Sequence, residues 1–205
     1  LFGLLTVYIS VIFATKVDKN LESTTIVLCG MVLSMFINAI FMLVTGRLSG
    51  SKMQQIIRWQ MGSFSSKGWE YVQMLFPVLI VGVVLLLFFS REMDILTFGE
   101  EQASSIGVET KKVKWILLII SSVMTGCAVA FAGVIGFIDL IAPHIVRKAI
   151  SSKHKYVVSL SALFGGIFMV IADLISRTVI SPRELPIGAV TALIGAPFFA
   201  FIFFK

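Results

Sequence analysis

Repeated apolar runs, each close to the length that crosses a bilayer, decide what this chain can become. Thr24–Thr45 is one such run, and residues 71–90, 115–132, 156–175 and 187–204 are others. A helix needs roughly 20 apolar residues to cross the hydrocarbon core. The runs are too long for strands and do not alternate strictly, so helices are expected. The chain opens inside a further run, residues 1–14, too short to span by itself. With no initiator Met and no signal peptide, the chain is expected to be a fragment lacking its N-terminal helices.

Composition agrees. Hydrophobic residues make up 58% of the 205 positions and charged residues 14%, where soluble domains carry about 25% charged. Mean hydropathy is +0.99. The expected fold is an all-α, polytopic transmembrane bundle, one domain over residues 1–205, with about six to seven spans. The net charge of +6 does not point to nucleic acid, because the Lys and Arg residues sit in short loops between apolar runs. Cys29 and Cys127 each lie inside an apolar run and share no spacing with histidines. They read as small hydrophobes, with neither a disulfide nor a metal site expected.

Residues 133–150 begin GVIGFIDLIAPHIVR, apolar enough for lipid yet interrupted by glycines, a proline, an acid, a histidine and an arginine. If this segment crosses, one set of loops holds eleven of the seventeen Lys and Arg residues and the other holds six. The richer set includes Lys16, Lys19, Arg91, Lys111, Lys112, Lys114, Arg147, Lys148, Lys153, Lys155 and Lys205. The positive-inside rule puts it, and the C-terminus, in the cytoplasm. If the segment did not cross, the basic loop around Lys153 and Lys155 would lie outside.

Two loops are long enough to hold structure. The outer one, residues 46–70, contains KMQQIIRWQMGSF, in which Met53, Ile56, Ile57 and Met61 alternate with polar residues at helical spacing. A short interfacial helix is expected, with Trp59 and Trp69 at headgroup level. The inner one, residues 91–114, has the length of two short helices punctuated by Gly99 and Gly107, with an acidic character from Glu100, Glu101 and Glu109. It suits docking to a soluble protein or a plain solvated loop.

Four stretches then carry a family resemblance. GEEQASSIGV in the inner loop resembles Gly-Glu-x-x-Ala-x-x-Leu-Gly-Val, fixing Gly99, Glu100, Glu101, Ala103, Ile106 and Gly107. GVIGFIDLIAPHIVR resembles Gly-x-Ile-Gly-Phe-x-Gly-Leu-x-x-Pro-His-x-x-Arg, with Gly133, Gly136, Pro143, His144 and Arg147. ELPIGAVTALIGAPFF resembles Glu-Leu-Pro-x-Gly-x-x-Thr-Ala-x-x-Gly-x-Pro-x-Phe, with Pro186, Gly188, Gly195 and Pro197. WQMGSFSSKGW is similar to Trp-x-x-Gly-Ser-x-x-x-x-x-Trp. In this order they resemble the FecCD-type permeases of ABC importers for iron–siderophore, haem and vitamin B12. The resemblance implies about ten helices per full subunit, a second permease subunit (the same or different), ATPase subunits below and an extracytoplasmic substrate-binding protein above. It also implies an ATPase-coupling loop at Gly99 to Gly107 and places Asp139 where the family pattern has glycine.

The residues have physical readings of their own. Gly133 and Gly136 permit close backbone approach or a turn, and Pro143 removes a donor inside the segment. A short helix starting at a sharp corner and packed in the interior is expected. His144 and Arg147, three apart, share a helix face near the cytoplasmic end, as a structural anchor or at the ATPase interface. Asp139 in a span is costly, roughly 2.5–3.5 kcal/mol at a helix centre. Asp173 and Arg177 form a favourable i,i+4 pair; the resemblance adds binding-protein docking for Arg177. Ser23 and Thr24 start a span as helix caps or, by the resemblance, near an inner gate. Pro186 suits a first helical turn, and Gly188, Ala192 and Ala196 form a small-residue face for packing within the subunit or at the dimer interface.

No phosphate-binding loop ending in Lys-Ser/Thr is present, and no catalytic triad or carboxylate pair is visible, so ATP hydrolysis is expected in a partner and neither catalysis nor a cofactor in this chain. Three functions compete: an ATP-driven permease, an ion-driven secondary transporter using Asp139 or Asp173, and an intramembrane enzyme built on His144. The resemblance favours the first, with ferric siderophore ahead of haem and vitamin B12 as cargo.

Overall fold

The computed structural model describes residues 2–17, 23–48, 50–65, 67–181 and 183–203. Its order is α1 Phe2–Val17, α2 Ser23–Thr45, α3 Ser51–Gln60, α4 Trp69–Phe88, α5 Ser90–Leu96, α6 Glu100–Ser105, α7 Thr110–Ala132, α8 Ile138–Ala149, α9 His154–Thr178 and α10 Ile187–Phe203. Among the described residues there is no strand. Four helices, Thr24–Thr45, Trp69–Phe88, Thr110–Ala132 and His154–Thr178, are long and apolar enough to cross a membrane, and Leu5–Lys16 and Ile187–Ile202 are shorter apolar helices. Several helices outrun the apolar stretches that announce them. The first turn of α7 takes in Lys111 and Lys112, because backbone hydrogen bonding continues past the point where the side chains turn polar.

Helix α1 packs on α2 and α7, α4 on α7, and α8 on α9; α9 also meets α4, α5 and α10. Val11 and Ala14 are buried against Ile26, Cys29, Trp115 and Leu118. A second core gathers Ala172 of α9 with Ile187 and Val190 of α10, closed by Phe64, Ile135 and Phe168. Much of the remaining apolar surface is open, including Val32, Met35, Leu43 and Val84. Lipid solvates such surface without penalty, so dispersion and close approach hold these helices together.

One end of the bundle is a joint made of main chain. The end of α3, the end of α7 and the start of α10 meet there. Ser63 N–H donates to the Ala132 carbonyl (2.9 Å), Ile187 N–H to Gly62 (3.2 Å) and Gly188 N–H to Met61 (3.1 Å). Gly133 leaves α7 at φ 77, with the Trp59 carbonyl oxygen where a β-carbon would sit.

From this joint residues 133–136 run without helix, Phe137 turns at φ 69, and α8 begins. The start of α8 is at half-depth. The Phe137 side chain fills the space over Gly195, near the middle of α10, and Ile138 lies beside Gly165, near the middle of α9. Helix α8 then runs to the opposite end, where residues 150–153 turn into α9. Four non-helical residues reach at most about 13 Å and the 12 residues of α8 about 18 Å. Together they match the roughly 30 Å core, so the broken segment does traverse the bundle. Pro143 is inside α8, and Ile141, Ala142 and Val146 are buried.

One expectation is corrected here. The corner is at Gly133 and Phe137, not at Gly136, which has ordinary φ and open space around it. Positive φ at a non-glycine costs about 1–3 kcal/mol, here offset by the packing of the ring on α10. The buried face of α10 carries Ile187, Val190, Thr191 and Gly195, whereas Ala196 is exposed and Ala192 half-buried. Two glycines of α10 set its close approaches: Gly188 meets the Met61 main chain and Gly195 lies under the Phe137 ring. Pro186 immediately precedes the helix, its carbonyl accepting from Ala189 and Val190 N–H.

Candidate functional site

Two groups of residues lie at opposite ends of the bundle. The first surrounds α6. Gly99 (φ 109) and Gly107 (φ 90) adopt backbone that side chains resist, so the chain makes a tight hairpin, α5–α6–α7. Ala103 N–H bonds the Gly99 carbonyl and Val108 N–H bonds Ala103, both at 3.0 Å. Ala103 is fully buried, while Phe98 and Ile106 are 73% and 67% exposed. The two acids part company: Glu100 turns inward and pairs with Lys114 of α7, and Glu101 is exposed. The result is a short, anchored helix flanked by two projecting apolar side chains and one carboxylate.

A clip that sequence reasoning missed fixes α5. Asp94 Oδ1 accepts the His154 backbone N–H at 2.8 Å and lies 2.7 Å from His154 Nδ1. Asp94 thus caps the first turn of α9 from another helix. Partial burial pushes the Asp94 carboxyl up, but the His154 backbone and ring, with the Lys153 charge, hold it below the usual carboxylate range. The partners are far apart in sequence, and no local pattern announces them.

His144 is half-buried and Arg147 exposed in the second half of α8, toward this same end. Thr24 is exposed in the first turn of α2; the side chain of Ser23 lies outside the described residues, as do Lys19 and Lys205.

The second group is on the α3 end. Arg177 Nε donates to Asp173 Oδ2 at 2.8 Å, and its Nη1 is 3.9 Å from Glu184 Oε1, confirming the expected i,i+4 pair and adding a second acid. Beside it a basin of about 830 Å³ is lined by Arg58, Ser63, Arg183, Glu184 and Pro186; Arg58 and Arg183 carried no sequence signal. Trp59 and Trp69 are 46% and 80% exposed at this end. The expected interfacial helix is α3, with none of its residues buried. Helix α9, about 37 Å long, joins the Asp94 clip to Arg177.

Comparison with known proteins places this arrangement. The model of the FecCD transport family matches residues 1–205. The chain is 40% identical over 193 residues to the ABC transporter permease protein YvrB of Bacillus subtilis, covering 94% of this chain and 54% of that protein. It is 39% identical to the cobalamin import system permease protein BtuC of Halobacterium salinarum, covering 92% and 50%. It is 31% identical to the Fe(3+)-citrate import system permease protein YfmD of Bacillus subtilis, covering 94% and 57%. The chain thus spans about half the length of the curated relatives it matches. A solved structure described as an inward-facing conformation of a metal-chelate type ABC transporter superposes with a TM-score of 0.93 at 30% identity, covering all of this chain and 65% of that one.

Proposed function

The chain belongs to the FecCD transport family, and on that premise we propose that it acts as a permease subunit of an ATP-driven importer for an iron–siderophore or related metal chelate. The observation that carries this reading is the α6 hairpin. It is anchored through Glu100–Lys114 and Asp94–His154, and offers Phe98, Ile106 and Glu101 to a partner. ATPase subunits dock on this end, and the excess of Lys and Arg supports a cytoplasmic location for it and for the C-terminus. The binding protein docks at the α3 end through Arg177, and a second permease subunit completes the pathway. Closure of the ATPases biases the bundle between inward- and outward-open states, with Thr24 near the inner gate. The names of the relatives, which cover cobalamin, Fe(3+)-citrate and hemin transport, support a metal chelate as cargo.

The test is ATP-dependent uptake of a ferric siderophore by proteoliposomes holding the full transporter and its binding protein. Replacing residues 99–107 with a flexible linker abolishes uptake while leaving membrane insertion intact. Uptake that survives this change, or that persists without ATP and collapses with an uncoupler, overturns the reading.

A further inference from the structure

The non-helical stretch that runs from the joint to half-depth carries more polarity than lipid tolerates. Among the described residues, the backbone N–H groups of Val134, Ile135, Gly136 and Phe137 donate no hydrogen bond. No described residue of this chain covers Gly136 or Asp139, and Asp139 has no hydrogen bond or ion pair among the described residues. The depth is fixed twice over, by Phe137 against the middle of α10 and Ile138 against the middle of α9. Irregular backbone persists at this depth only where it is buried in protein or lines water, and an ionised side chain there faces a cavity or a partner charge. Gly136 and Asp139 meet these demands together, three residues apart at one corner.

Resting on the permease reading, we infer that Gly136 and Asp139 line the water-filled passage, and that Asp139 fixes a negative charge halfway along it. Such a charge favours cargo of positive or zero net charge and slows anionic complexes. Asp139 is thereby a specificity-determining residue for chelate charge.

A reporter cysteine tests this without depending on transport. A β-carbon at Gly136 meets nothing within 4 Å, and its φ is ordinary, so Gly136→Cys is compatible with the fold. It is introduced into the full transporter after Cys29→Ala and Cys127→Ala. In membrane vesicles, its modification rates are measured with a cationic reagent, trimethylammonioethyl methanethiosulfonate, and an anionic one, sulfonatoethyl methanethiosulfonate. Both reagents are expected to react, and Asp139→Asn is expected to lower the cation-to-anion rate ratio on the order of fivefold. Failure of both to react, with and without ATP, overturns the inference, as does an unchanged ratio. Ferric siderophore uptake is assayed in parallel on vesicles holding the unsubstituted transporter. ATP-dependent uptake with an unchanged ratio sinks this inference alone. A lowered ratio without any ATP-dependent uptake sinks the permease reading and leaves the charged passage standing.

Discussion

The carbonyl oxygen of Trp59 occupies the space that a β-carbon on Gly133 would need, so the ends of α3 and α7 meet at backbone contact. Gly133 also sits at φ 77. Gly133→Ala therefore combines conformational strain with a clash against main chain, a loss of about 1–3 kcal/mol or more. A lower thermal midpoint in detergent is the expected result, with Gly136→Ala as the control that leaves it nearly unchanged.

Asp94 caps α9 from α5, and Asp94→Ala removes that acceptor. Loss of a cap costs about 0.5–2 kcal/mol. The carboxyl is held below its ordinary pKa when folded, so its contribution is complete above roughly pH 4 and fades as the pH falls through the lowered value. Thermal unfolding at neutral and acid pH checks this: the gap between wild type and Asp94→Ala is wide at neutral pH and narrows under acid.

The buried and exposed residues of the α6 hairpin separate folding from coupling. Ala103→Leu overpacks a fully buried position and costs about 1–3 kcal/mol. Phe98→Ala and Ile106→Ala remove exposed side chains, leave the unfolding midpoint in place and weaken ATPase association by about tenfold. Co-purification of the ATPase subunits alongside thermal unfolding distinguishes the two effects.

Arg177 is held by Asp173 and approached by Glu184. Arg177→Glu gathers three acids in one place and is expected to weaken binding-protein association by about tenfold or more, with loss of uptake. Asp173→Asn leaves the guanidinium charged and is expected to preserve association. Titration of the binding protein against the transporter in nanodiscs measures both.

The runs of apolar residues made the long helices legible, because membrane depth and helix length are the same physical quantity seen twice. Gly99 and Gly107 likewise announced the inner hairpin. Phe137 did not announce its corner: a bulky residue at positive φ is stable only because α10 offers Gly195 beneath the ring, and that partner is distant in the chain. The same distance hid His154 from Asp94 and Lys114 from Glu100. On α10, the small Gly188 was legible and meets the Met61 main chain, whereas the burial of Ile187 and Thr191 depends on neighbours that no single-helix pattern reveals. Arg177 and Asp173 were legible because helical spacing alone brings them together.

The joint at the α3 end is built from carbonyls and amides of Met61, Gly62, Ser63, Ala132, Ile187 and Gly188. Its geometry is indifferent to nearly every side chain upon it, apart from the glycines that let the strands of chain touch. The exposed side chains of α3 are thus free to be rewritten, residue by residue, while the scaffold underneath keeps its shape; on the permease reading proposed above, that lets this face greet a different delivery protein.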